Sequence, residues 1–330
     1  MVNTWSQSTH EAYSPGLLVW HVHCDKRSVL ELLCAPVHHS HIASFVASLA
    51  GSYSGSTISN YLYGLQAWHL LHSVKWKLNT LEMETLLKGA VRLAPDSSKQ
   101  KPHQLYTTDF IIKISENLDL TLPFNAAIFA CLTVGFYSVV RVSELTVPQL
   151  SAFDSVRHVT PANLQSEINQ NGMEVTVLHI PHTKAALLEG EDVYWSCQPG
   201  PTDPYEALEN HWCINSPGNN DHLFAYRYKG HLQPLIKHAF IKWVASAART
   251  AGLEPLQGHR IRIGATLFYL LQGVPFKVVK VMGRWSSDAF LQYLWKHAQI
   301  LTPYIQADPD LHHSFSHFAM PAQALLQGHQ

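Results

Sequence analysis

The stretch from Gly258 to Tyr293 limits what this chain can fold into more than any other. Its run from Ile263 to Leu271 is apolar enough to belong in an interior, yet His259 and Arg262 lead it, three residues apart on one helical face. Burying a charge without a partner is costly. An arginine and a histidine at the mouth of a buried helix therefore suit an anionic ligand. A second, amphipathic helix follows, then a Gly283-Arg284-Trp285-Ser286-Ser287 turn and Tyr293, whose short helix could face the same anion. Such a set has the makings of phosphoryl chemistry without a metal.

The rest of the chain supplies the context. Its 330 residues are enough for a sizeable core and two domains, and 46% hydrophobic with 14% charged residues describes a globular chain. The five cysteines, Cys24, Cys34, Cys131, Cys197 and Cys213, are odd in number and lack C-x-x-C spacing, which predicts reduced thiols in an intracellular protein. No charged-then-apolar leader and no apolar run of about 18 residues is present, so neither secretion nor membrane spanning is expected. The net charge of −1 conceals a polarised distribution. Residues 227–296 carry eleven Lys/Arg against two Asp/Glu, and residues 144–221 carry two against eleven. A local basic field of that kind steers a polyanion; the alternative is that the basic helices merely pair with the acidic segment.

Taken in order, residues 1–93 read as helices. Tyr13, Leu17, Trp20 and Cys24 fall at helical spacing, with Pro15 expected to kink or delay the helix. Ser40 can cap a helix carrying Ile42, Phe45, Val46 and Leu49; Ile58, Leu62 and Leu65 mark a third; Asn79 or Thr80 starts a fourth. Lys75, Lys77, Lys88 and Arg92 are candidate phosphate contacts on this module, or simply solvated charges. His21, His23, His38, His39 and His41 with Cys24 lack the spacing of a zinc site, so solvated or helix-end histidines and no metal are expected. Residues 94–104, with two prolines and a polar run, read as a linker.

From Thr107 or Thr108 a second domain begins. A strongly apolar helix is expected from Pro123 to Val140, ending at Arg141, with Glu144 within reach one helical turn on. Between 156 and 196 the pattern turns to strands, with Asn171-Gly172 as a hairpin turn and Val175, Val177 and His179 alternating with their neighbours. Residues 203–213 read as a helix whose Asp203, Glu206 and Glu209 form a solvated acidic face. Phe240, Trp243, Val244 and Ala247 mark another helix, stopped by Gly252 and Pro255.

Two segments carry a family resemblance: Arg141-Val142-Ser143-Glu144-Leu145, and the Gly258 to Tyr293 stretch with Gly-Arg-Trp-Ser-Ser-Asp-Ala-Phe at 283–290. They resemble the tyrosine recombinase (phage-integrase-like) family, in the eukaryotic mobile-element, Crypton- or DIRS-like style. The resemblance is sparse over residues 1–93. It implies a mainly α fold with a small antiparallel β-sheet (α+β): a SAM-like core-binding domain at 1–93, a hinge at 94–104, a catalytic domain at 105–304 and a tail at 305–330.

The resemblance also implies roles. Arg141 and Arg262 would clamp the scissile phosphate, with Glu144 holding Arg141. Tyr293 would attack phosphorus to give a 3′-phosphotyrosyl intermediate. His259 would be base or orienter, and Lys184, the only lysine between 114 and 228, would be the general acid in the turn between the second and third strands. The family places His or Trp directly after the glycine equivalent to Gly283; here Arg284 stands there with Trp285 next, so either fills that position, or Trp285 is a core residue. Arg260, Lys277 and Lys280 join the candidate DNA contacts. The implied partner is double-stranded DNA, bound by a homotetramer, with no cofactor, small-molecule substrate or membrane, in the nucleus. The rivals are a catalytically inactive, domesticated DNA-binding protein of the same fold and a type IB topoisomerase-like relaxase; a histidine-rich metal-binding protein is the reading without the family.

Overall fold

A computed structural model describes residues 7–98 and 105–286 of the chain. They fall into two compact units, one on either side of His103. Among the described residues no helix is long and apolar enough to cross a membrane.

The first unit is helical: α1 (Gln7–Lys26), the single turn α2 (Glu31–Cys34), α3 (His39–Leu49), α4 (Gly55–Leu71) and α5 (Thr80–Arg92). Its core gathers Trp20, Ile42, Phe45, Ile58, Leu62, Leu65 and Met83, with Trp20 edge-on to Phe45. Pro15 does not end or delay α1, which runs through it. Tertiary packing overrides the local preference here. α1 crosses α4 so closely that a Cβ on Gly16 would meet the Tyr61 backbone at 2.7 Å, and one on Gly64 the Tyr13 carbonyl at 2.6 Å. α3 begins two residues earlier than Ser40 suggests, because the His38 side chain caps it by accepting from the Ser40 N–H. α5 opens with a capping box between Asn79 and Glu82.

Two of the helix-end histidines are buried. His23 is buried against Trp20 and Phe45. His69 is buried too, with Nδ1 donating to the Leu65 carbonyl and Nε2 accepting from the Val37 N–H. Burial lowers the pKa of both.

The second unit is built round α7 (Pro123–Tyr137), which is buried from Asn125 to its end. Before it comes α6 (Thr108–Glu116), capped by the Thr107 hydroxyl. After it come α8 (Val142–Leu145), strands β1 (Leu164–Ile168), β2 (Glu174–Ile180) and β3 (Glu191–Trp195), and α9 (Pro204–Asn215). A hairpin of β4 (Tyr226–Tyr228) and β5 (His231–Gln233) precedes α10 (Lys237–Thr250), α11 (His259–Leu271) and α12 (Phe276–Met282). The three-stranded sheet is antiparallel in the order β1-β2-β3, with Leu178 opposite Leu164 and Val193. Gly172 takes a positive φ of 75° in the β1–β2 turn that Asn171-Gly172 predicts. The β4–β5 pair has no expected counterpart; its strands are three residues each, too short to show alternation.

α9 departs from its predicted acidic face. Asp203 is buried, and its carboxylate accepts the N–H groups of Tyr205 and Gln198, capping the helix. Inside the same helix, His211 donates through Nε2 to the Leu223 carbonyl and accepts at Nδ1 from Asn215, whose amide also donates to the Pro123 carbonyl of α7.

Two helices end alike, and both ends deliver site residues. α7 stops at Tyr137, not Val140: Val139 takes φ 55°, its N–H donates to the Phe136 carbonyl and that of Val140 to Gly135. At the end of α12 Arg284 takes φ 53°, its N–H donates to Val281 and that of Trp285 to Lys280. Both are Schellman endings with an ordinary residue where glycine is usual. The first turns the chain so that Arg141 begins α8.

Candidate active site

Arg141 stands at the start of α8, where its N–H and guanidinium both reach Glu144, at 3.0 and 2.8 Å. Glu144 is almost fully buried, and its second oxygen takes a further ion pair from Arg284 at 2.5 Å. Burial alone would raise its pKa. The Arg284 charge, then the hydrogen bonds from Arg141 and Arg284, outweigh that and hold the carboxyl below its ordinary range.

Arg284 divides its fork between two acids. Nη2 takes Glu144, while Nη1 takes Glu191, at the start of β3, at 3.0 Å. Glu191 Oε2 also accepts the Thr183 hydroxyl at 2.5 Å. Thr183 is buried in the β2–β3 turn, where its N–H donates to the Ala186 carbonyl and its Oγ accepts from the Ala186 N–H. Lys184, the next residue, is exposed on that turn.

Arg262 lies in the first turn of α11 and is only 1% exposed. One Nη donates to the Gly283 carbonyl, and its guanidinium carbon sits 4.3 Å from the centre of the Trp285 ring. Such cation–π contact offsets part of the burial cost. Among the described residues no carboxylate pairs with it, and its Nε is buried without a hydrogen-bond acceptor. Burial, then the neighbouring charge of Arg141, pushes its pKa down to about 10. His259, one turn earlier, is lowered by burial and then by the charges of Arg262 and Arg141, so its imidazole is neutral at pH 7.

Trp285 belongs to the site and to the core at once. It packs beside Leu267, Leu270 and Val279, and it lies so flat on Gly283 that a Cβ there would overlap its ring. Tyr269 donates its hydroxyl to the Tyr137 carbonyl and so ties α11 to the end of α7.

Arg141, Glu144, His259, Arg262, Arg284 and Trp285 thus converge, although the first two lie over 100 residues from the other four in sequence. Lys184 is linked to the cluster through Thr183. Of the candidate DNA contacts, Lys75, Lys77, Arg92 and Lys277 are exposed, and Lys88 faces Glu84 at 3.5 Å. Lys280 is half-buried, and Arg260 is buried, its pKa lowered by burial although Glu254 and Tyr106 favour its charge. Tyr293 and the 305–330 tail lie outside the described residues.

Glu191, Thr183 and the Gly283 carbonyl were not foreseeable from sequence. Glu191 meets Arg284 across 93 residues, and neither sits in a local pattern that marks it.

No protein-family model and no curated protein matches this sequence. Solved structures do match it. The XerH site-specific recombinase bound to difH substrate, in a pre-cleavage complex, aligns with 90% of this chain and 79% of its own at 16% identity and a TM-score of 0.53. The Tn1549 transposon integrase in complex with transposon right-end DNA aligns over 95% and 94%, at 12% identity and a TM-score of 0.52. The chain has the tyrosine recombinase fold. In this chain Arg141 stands at the start of α8, Arg262 in the first turn of α11 and Arg284 just past the end of α12.

Proposed function

We propose that this cluster binds one DNA phosphodiester and that the chain is a site-specific recombinase or integrase. The observation that carries the reading is Arg262: a cation buried beside Arg141, with no carboxylate of its own among the described residues. Three arginines against Glu144 and Glu191 leave a positive excess, and a phosphodiester monoanion supplies the missing charge on two non-bridging oxygens that the planar arginine fork can take together.

The chemistry follows from charge and proton movement. Arg141 and Arg262 neutralise the non-bridging oxygens and stabilise the additional charge of the five-coordinate transition state. The Tyr293 oxygen forms a bond to phosphorus as the bond from phosphorus to the 5′ oxygen breaks. His259, neutral at pH 7, takes the phenolic proton, and Lys184 donates one to the departing oxygen. The phosphotyrosyl ester conserves the bond, so another strand's 5′-hydroxyl reseals it with no nucleotide or metal. A homotetramer on two duplexes would exchange strands in this way.

A library of nicked duplexes, in which the cleaved end diffuses away, tests this. Covalent protein–DNA adducts enriched in one sequence are expected, and Tyr293→Phe removes them. A protein that binds DNA but forms no adduct is a domesticated binder, and one that relaxes supercoils as a monomer is a topoisomerase; either result overturns the proposal.

A further inference from the structure

Arg284 occupies the position where the resembling family has His or Trp, yet its two Nη groups are committed to carboxylates and its side chain is 8% exposed. It also holds a left-handed backbone at φ 53°, where a glycine would sit without strain. A side chain kept there against the backbone preference has contacts that outweigh it. Those contacts run in two directions. Through Glu144 they reach Arg141; through Glu191 they reach Thr183, whose hydroxyl also receives the Ala186 N–H and so closes the turn that carries Lys184.

We propose that Arg284 is a positioning residue, and that the relay Arg284–Glu191–Thr183 fixes the turn from which Lys184 protonates the 5′ oxygen. The inference rests on the reading of Lys184 as general acid. Without the relay, Lys184 is an exposed side chain on a turn of ten residues between Ile180 and Glu191, with four stem bonds of its own to order. With it, the residue before the lysine is pinned to the same guanidinium that pins Arg141. Phosphate clamp and proton donor then share one rigid support, which is what a well-placed general acid needs.

A leaving group that needs no proton separates this from a structural role. On DNA carrying sulfur in place of the bridging 5′ oxygen at the cleavage site, the bond from phosphorus to sulfur breaks to give a thiolate, stable near neutral pH, so general acid help is unnecessary. Lys184→Ala is expected to cleave the oxygen substrate about 10²- to 10⁴-fold more slowly than wild type, and the sulfur substrate at nearly the wild-type rate. Thr183→Val keeps the shape and both ion pairs of Arg284; it is expected to lose about ten- to a hundredfold on oxygen and almost nothing on sulfur. Arg284→Gly relaxes the backbone, and is expected to lose more on oxygen and to keep a residual deficit on sulfur, because Glu144 and Arg141 are released as well.

Thr183→Val that is equally slow on both substrates, or fast on both, overturns the relay. So does Arg284→Gly that matches wild type. If sulfur fails to rescue Lys184→Ala, the general acid reading itself falls, whatever Thr183→Val does.

Discussion

α7 and α11 are both buried helices of the second unit, and they touch, but they are buried for different reasons. α7 carries Ala, Ile, Phe, Cys, Leu and Val on every side, and its few polar groups are satisfied within the fold: Thr133 donates back to the Phe129 and Ala130 carbonyls, and Asn125 to Asp119. α11 is apolar from Ile263 onward, but its first turn brings Arg260 and Arg262 inside. Stability alone explains α7, since each fully buried large side chain contributes about 1.5–3 kcal/mol. It does not explain Arg262, whose pKa of about 10 records a charge held at a cost. A charge held there at a cost is what the proposed phosphate site would require.

Substitutions that separate activity from stability put the contrast under most strain. Arg262→Met keeps the bulk and the contact with Trp285 while removing the charge. It is expected to leave the unfolding free energy within about 1 kcal/mol of wild type, yet to slow single-turnover DNA cleavage by about 10³-fold or more. A variant that unfolds but cleaves normally when folded would erase the difference between the helices. In α7 the reverse is expected: Phe136→Ala removes a fully buried ring and costs about 3–5 kcal/mol in chemical denaturation, with any folded fraction still cleaving.

Acid sharpens the comparison from another side. His211, tied through Asn215 to the first turn of α7, is lowered to about 4 by burial, and His222 to about 3 by burial and then by His158 and His211. Their folded pKa values lie below the unfolded one, so their contribution is complete above pH 6.5 and is lost as pH falls toward 4. At pH 5 the loss is roughly 2 kcal/mol per histidine, visible as a fall in Tm that His211→Gln reduces. A Tm unchanged between pH 7 and 5 would mean that these side chains are not buried neutral.

Much of this was legible in the sequence, and the reasons are specific. The α7 run, the α11 pattern and the Asn171-Gly172 turn are local signals, and local signals survive into structure. Arg141 and Glu144 are three residues apart, so their pairing needed no long-range information. Arg284 did need it: its two carboxylates lie 93 and 140 residues away, and its left-handed backbone is set by how α12 ends. The limits of α7 were misjudged at Val139 because a β-branched residue rarely takes a positive φ. Asp203 was misread as solvated for a similar reason; a capping aspartate and a surface one look alike until the loop before it folds back.

The charge of one phosphate decides the matter most directly. Replacing a non-bridging oxygen at the cleavage site by a methyl group makes that phosphorus centre neutral and leaves Arg262 nothing to compensate. Wild type and Arg262→Met should then cleave at rates within about tenfold of each other, while differing by about 10³-fold on ordinary DNA. Equal impairment of Arg262→Met on both substrates would show that this arginine serves the fold and not the phosphate.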